Sequence, residues 1–192
     1  MKKYNMTTFN GRRFNIMEPI IDDIDLGDII QSLSNQCRFA GHCDRFYSVA
    51  QHSVNVAHLV ADEFKPWALF HDAAEAYISD IPRPVRNAIP TLDGIESRIL
   101  FVIAGRYSLS WPIPKAVLIA DDLMLAIEIN EITNDQEQQK VPDLEGKMIE
   151  LESWDPITAY FGFLSAIYAY VPAVFDATKN ILVTPRGLPD VY

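Results

Sequence analysis

The chain has 192 residues, of which 49% are apolar and 22% charged, and a formal net charge of −10. That length can bury a sizeable core and suits one domain. The acidic balance argues against a binder of nucleic-acid polymers, which needs a basic surface, but it leaves room for a small anionic ligand held by a metal or by local arginines.

Residues 7–16, TTFNGRRFNI, are predicted to form a small hairpin, with Asn10-Gly11 as a favoured turn pair between Phe9 and Phe14. Arg12 and Arg13 are expected to face solvent. Residues 19–25 read as an acidic linker. A first helix is predicted over 26–36, with Ile29, Ile30 and Leu33 at helical spacing. The loop CRFAGH (37–42) comes next. Its Arg38 suits a bidentate contact to phosphate oxygens, and equally a pairing with a surface carboxylate. His42, flanked by Cys37 and Cys43, lacks the spacing and the fourth ligand of a structural zinc site.

Helices are predicted over 48–63 and 66–77, punctuated by Lys65-Pro66. The second contains His71-Asp72 between Ala68-Leu69-Phe70 and Ala73-Ala74. Both polar side chains are costly to bury without strong partners, and a divalent metal satisfies both at once. Antiparallel packing would bring His52 opposite them. Glu75 lies three residues after Asp72 and four after His71, on the same face. His58, six residues after His52, points away from it and reads as an imidazole hydrogen-bonded on the helix flank.

Over 78–90, Pro82 and Pro84 predict an extended loop. Asp80 at its start reads as a cap or brace; Arg86 reads as surface, and Arg83 stays open between surface and substrate. Residues 92–107 are predicted to be a helix with Ile95, Ile99, Val102 and Ile103 inward. After Trp111-Pro112-Ile113-Pro114 a further helix is predicted over 115–131, with Pro114 in its first turn. Asp121 and Asp122 are about 100° apart on it, so one of them is the candidate ligand. Residues 134–140 read as a polar loop and 142–154 as a short helix or an insertion. Residues 156–170 form an apolar helix with five aromatic residues, suited to a core or to an oligomer interface. The tail, 181–192, reads as extended. No run is long and clean enough to span a membrane. No signal peptide is visible, so the cysteines are expected to be reduced thiols in a cytoplasmic protein.

The ordered set His52, His71-Asp72, Asp121 is carried by CRFAGH (37–42), YSVAQHSVNVA (47–57), ALFHDAAEAYISDIPRPV (68–85) and VLIADDLMLAIE (117–128). It resembles the HD-domain metal-dependent phosphohydrolases, and within them the small phage and bacterial nucleotide enzymes: the HD-type 5′-deoxynucleotidases and the phage dATP triphosphohydrolases. The resemblance covers most of residues 20–130. It implies an all-α fold, an HD-domain helical bundle with the small N-terminal β-hairpin. One domain is expected: hairpin and linker 1–25, core 26–131, C-terminal helix and tail 132–192.

The resemblance further implies one divalent metal ion (Co, Mn, Zn, Ni or Mg) on His52, His71, Asp72 and Asp121. Glu75 would orient a water or shuttle a proton, and Asp80 would assist. Arg38 and Lys115 are the candidate phosphate contacts. Phe39, Tyr47 and Tyr77 are candidates to stack on a base, although each also suits a core. The expected partner is a small-molecule deoxynucleotide, with no nucleic-acid polymer and no membrane, in a homo-oligomer. The first reaction expected is dATP to deoxyadenosine plus tripolyphosphate. The alternative is release of orthophosphate from deoxynucleoside monophosphates, and the ligand pattern does not separate the two. The extra histidines of two-metal HD phosphodiesterases are missing. A non-catalytic nucleotide-binding module is a further alternative, but it would be expected to have lost a ligand or Glu75.

Overall fold

A two-stranded hairpin lies at the N-terminal end of a mainly helical protein. Its structure, a computed structural model, describes residues 3–142, 144, 149 and 151–175. Strands β1 (Asn5–Thr7) and β2 (Arg13–Asn15) pair antiparallel, with Met6 opposite Phe14. The chain reverses at Asn10-Gly11, where Gly11 takes a φ of 77°, a conformation that costs glycine little. Phe14 is buried and stacks on Tyr77 with ring centroids 3.8 Å apart. The hairpin is thereby fastened to the segment just after the His71-Asp72 pair.

Helix α1 (Leu26–Asn35) begins where the Asp25 carboxylate accepts the N–H groups of Gly27 and Asp28. The acidic linker before it contains a 3-10 turn, Ile21–Asp23. Helix α2 (Val49–Leu59) starts with the Ser48 hydroxyl accepting the Gln51 N–H. It is the central element, packed against α1 and three later helices, α3 (Lys65–Phe70), α7 (Lys115–Ile132) and α8 (Pro156–Tyr170). It is shorter than the predicted 48–63, and a separate 3-10 turn, Asp62–Phe64, comes after it.

The single helix predicted over 66–77 is divided. After α3 the chain winds tightly through residues 71–74 before α4 (Glu75–Ile78). Here the N–H groups of Ala73, Glu75 and Tyr77 donate to the carbonyls of Phe70, Asp72 and Ala74, three residues back. Such winding eclipses side chains three apart; Ala73 and Ala74, both wholly buried, keep that crowding small. The extended loop predicted over 78–90 is also corrected. It contains α5 (Arg83–Asn87), because Pro82 is its N-cap and Pro84 falls in its first turn, where a missing N–H costs no helical bond.

Helix α6 (Thr91–Tyr107) buries Ile99 and Ile103, with Ile95 and Val102 partly covered. Pro114 is the N-cap of α7 and stands just before its first turn. Helix α8 turns Ala159, Tyr160, Phe163 and Ile167 into the core and leaves Ile157 and Phe161 exposed. A Cβ on Gly162 would come within 2.7 Å of the Trp154 ring, so glycine lets that indole lie against α8. Residues 134–140 form neither helix nor strand. The segment predicted over 142–154 falls partly outside the described residues, and the tail 181–192 wholly so. No described helix is long and apolar enough to cross a membrane.

Buried residues from Phe14 to Val171 belong to one contiguous core. Phe14→Ala is therefore expected to lower unfolding stability by about 3–5 kcal/mol in urea denaturation. A loss below about 1 kcal/mol would mean that the hairpin is not part of the cooperative unit.

Candidate metal centre

Four side chains from three parts of the chain converge. His52 comes from the first turn of α2, His71 and Asp72 from the tight turn after α3, and Asp121 from α7. His52 Nε2 lies 3.3 Å from His71 Nε2, 3.0 Å from Asp121 Oδ1 and 3.6 Å from Asp72 Oδ2. His71 Nε2 lies 3.3 Å from Asp72 Oδ2 and 3.6 Å from Asp121 Oδ1. Donor atoms about 2.0–2.2 Å from one ion stand about 2.9–3.6 Å apart in octahedral or tetrahedral shells. His52, His71 and Asp72 by themselves offer atoms within 4.8 Å of one another, a set that could hold a metal ion. Asp122, about 100° round the helix from Asp121, points out and pairs with Arg83 at 2.9 Å.

The far side of each imidazole is occupied. His71 Nδ1 sits 2.7 Å from the Ala68 carbonyl oxygen. A carbonyl only accepts, so this nitrogen carries the proton and Nε2 presents a lone pair. His52 Nδ1 sits 2.6 Å from Glu128 Oε1. Glu128 is wholly buried, and its other oxygen accepts from Arg38 Nε and pairs with Nη2, both at 3.0 Å. Burial would raise the Glu128 carboxyl, but the charges of Arg38 and His52 bring it below its ordinary value. It is therefore an ionised acceptor, and His52 too turns an Nε2 lone pair inward. Orientation of ligand imidazoles by a carboxylate or a carbonyl is the usual outer sphere of a metal site.

With both imidazoles neutral the centre offers four acceptors, two Nε2 lone pairs and two carboxylates. Burial lowers the imidazoles' affinity for a proton, yet Asp72 and Asp121 raise His71 well above its ordinary value, and Glu128 and Asp121 raise His52. Burial likewise raises Asp121, but both histidines pull it far below the carboxylate range. In the metal-free chain these shifts describe imidazoles that hold a proton more tightly beside the carboxylates, a positive charge that a bound ion would replace.

Glu75 and Asp80 stand beside this cluster. Glu75 is buried, and neither Glu75 Oε2 nor Asp80 Oδ2 has a hydrogen-bond partner among the described residues. Burial, reinforced by Asp72 and Asp80, holds the Glu75 carboxyl well above its ordinary value. Burial also raises Asp80. The Gln36 amide braces their backbone, donating to the Glu75 carbonyl at 3.0 Å and accepting the Asp80 N–H at 2.9 Å. A groove of about 570 Å³ opens here, lined by Glu75, Gln36, Tyr77, Ser79, Ile95 and further residues.

The candidate substrate contacts fare differently. Arg38 is buried between Glu128 and Asp72, the latter 3.6 Å from Nη1; its partners are interior carboxylates, in place of the phosphate or surface carboxylate expected. Tyr47 is wholly buried and accepts from Asn55 Nδ2 at 2.8 Å, and Tyr77 is buried against Phe14. Both rings are packed in the core, and Tyr77 also lines the groove beside Glu75. Phe39 is half-buried, with the Arg38 guanidinium 5.5 Å from its centroid. Lys115 is exposed in the first turn of α7, six residues before Asp121. Arg86 pairs with Glu96 at 2.6 Å, and His42 and His58 are exposed. Glu128 was not singled out from the sequence. The signal was available: it lies seven residues after Asp121, about two helical turns, and so shares its face.

Fold and site define a helical protein with an N-terminal hairpin and a buried cluster of two histidines and two aspartates. The chain is 46% identical over 125 residues to the uncharacterized protein YfdR of Escherichia coli (strain K12), covering 65% of this chain and 70% of that protein. It belongs to the same family as YfdR. It is also 29% identical over 153 residues to an uncharacterized protein of Rhodobacter capsulatus, covering 72% of this chain and 78% of that relative. No family model matches the chain.

Two outcomes are expected. Glu128→Gln weakens divalent-metal affinity by about 10–100-fold in chelator competition and destabilises the fold by about 3–5 kcal/mol, because Arg38 loses its buried counter-charge. Unchanged affinity would show that Glu128 does not orient His52. Glu75 holds a proton in the folded chain that the unfolded chain releases above its ordinary value of 4.5. Its contribution to stability therefore falls as pH rises. In metal-free protein, Glu75→Gln should gain stability over the parent between about pH 5 and pH 8. A gain that shrinks over that window would reverse the assignment.

Proposed function

We propose that the protein is a divalent-metal-dependent phosphohydrolase of the HD-domain superfamily that acts on deoxynucleotides, with hydrolysis of dATP to deoxyadenosine and tripolyphosphate as its first reaction. The observation that carries this reading is the convergence of two imidazole Nε2 atoms and two carboxylates. Four ligand atoms face one another, with separations of 3.0–3.6 Å between each imidazole Nε2 and its neighbours, and both imidazoles are locked by their far nitrogens. His52, His71, Asp72 and Asp121 would hold the ion. When bound, it supplies Lewis acidity toward a phosphoryl oxygen and acidifies water.

The remaining chemistry falls to the chain's own groups. Glu128 and the Ala68 carbonyl keep the two imidazoles in the ligand tautomer. Arg38 holds Glu128 ionised and turns Nη1 toward Asp72. Glu75, its carboxyl raised toward the pH at which transfer in either direction is efficient, takes or returns the proton of the attacking water. Asp80, held by Gln36 through its backbone, supplies a second acceptor on the same side. The groove beside Glu75 lies within the size range of small-molecule sites. With Arg38 engaged by carboxylates, Lys115 and Arg83 are the chain's candidate cations for the phosphates.

The test is to incubate the protein with Co, Mn, Ni, Zn or Mg ions and a panel of deoxynucleoside tri- and monophosphates, and to identify the phosphorus products by NMR. Tripolyphosphate from dATP is expected, and Asp72→Asn should lower turnover by more than about a hundredfold. Orthophosphate from monophosphates alone would replace the triphosphohydrolase reading with a 5′-nucleotidase. No turnover with any of these metals would overturn the deoxynucleotide reading.

A further inference from the structure

The loop between α1 and α2 brings two thiols together. Cys37 Sγ and Cys43 Sγ lie 3.5 Å apart, and Cys43 Sγ is also 3.8 Å from the Arg38 carbonyl oxygen. Three successive left-handed residues turn the chain back on itself: Phe39 (φ 57°), Ala40 (φ 51°) and Gly41 (φ 80°). Positive φ is unusual for a bulky residue such as phenylalanine and persists only where the surroundings hold it.

Both ends of the loop are held. Cys37 bridges antiparallel to Ser48, and the Arg38 N–H donates to the Tyr47 carbonyl at 2.9 Å. At the other end the Asp44 N–H donates to the Ile132 carbonyl at 2.8 Å. The meeting of the two sulfurs is thus built into the fold, and both cysteines are half-exposed and open to a small oxidant. A disulfide needs the sulfurs about 1.5 Å closer, within reach of side-chain rotation.

We propose that Cys37 and Cys43 are a redox modification site that forms a reversible intramolecular disulfide. The bond closes a ring of residues 37–43 around Arg38 and Phe39, the loop whose guanidinium holds Glu128 and, through it, His52. The oxidant is a low-molecular-weight disulfide such as oxidised glutathione. The Cys37 thiolate attacks it, forming a mixed disulfide and releasing one glutathione thiol. The Cys43 sulfur then displaces the second, losing its proton as the internal bond forms. The protein gives up two electrons and two protons, and the oxidant becomes two thiols. Burial, reinforced by the contact with Cys37, pushes the Cys43 thiol up to about 11. A thiol so raised suits the resolving step, because the thiolate is the attacking nucleophile. Disulfides in reducing compartments are mostly of this transient kind.

The proposal is independent of the phosphohydrolase reading, and its test needs neither nucleotide nor metal. The full chain is equilibrated with oxidised and reduced glutathione, acid-quenched, alkylated and weighed intact, then digested. Wild type is expected to lose both alkylation sites together, to weigh two hydrogens less, to yield a linked Cys37–Cys43 peptide, and to recover both thiols in dithiothreitol. Cys43→Ser should instead accumulate a glutathione adduct on Cys37. The proposal is overturned if both wild-type thiols stay alkylatable in excess oxidised glutathione, if wild type stops at glutathione adducts, or if the bonds that form join two chains.

Discussion

The structure turns on a charge chain with no access to water at its centre: Arg38 to Glu128 to His52. A carboxylate with no exposed surface is untenable alone. Here one oxygen is taken by a guanidinium and the other by an imidazole, at 3.0 and 2.6 Å. The chain joins the loop after α1, the C-terminal part of α7 and the first turn of α2. A shift of any one of these elements would strand a buried charge. The same contacts that make the chain tolerable also hold three elements in register and turn His52 toward its neighbours.

That register has a chemical consequence. Glu128 and Asp121 share a face of α7, so anchoring one beside the far nitrogen of His52 brings the other to its near nitrogen. The tight turn through 71–74 contributes from the opposite side. It carries His71 onto the Ala68 carbonyl and leaves its Nε2, with Asp72, facing His52. Two imidazole nitrogens and two carboxylates thus face one point, where a proton or a metal ion offsets the negative charge. Next to it, burial raises the carboxyls of Glu75 and Asp80 above their ordinary values. One small region therefore holds carboxylates driven down in pKa and carboxyls driven up, the separation on which the proposed acid–base roles rest.

The packing behind the site explains why a small hairpin belongs to it. Phe14 stacks on Tyr77, two residues beyond Glu75, and Gln36 spans the backbone from Glu75 to Asp80. The short α4 would be marginal alone. Held by the hairpin, by the end of α1 and by α6 across the groove, it becomes a defined support for two carboxyl groups.

Much of this was legible in the sequence because helical periodicity and residue chemistry are local. Hydrophobic spacing marked α1, α6 and α7, the Asn-Gly pair marked the hairpin, and polar residues inside apolar runs marked His71-Asp72 and Asp121. The rotation between Asp121 and Asp122 already required that only one face inward, and the seven-residue step to Glu128 was there to be read. Other features were not local. Arg38 and Glu128 are 90 residues apart, and no composition rule pairs them. Tyrosine suits a core and a binding face equally, so only packing showed that Tyr47 and Tyr77 are interior. The division of the helix at 71–74 and the thiol contact of Cys37 with Cys43 likewise arise where several elements meet. The sequence by itself determined most of the helical segments and which residues carry ligand chemistry, because those depend on spacing and side-chain type. Only the tertiary structure decided which groups face one another, because burial, tautomer and charge pairing depend on neighbours brought together by the fold.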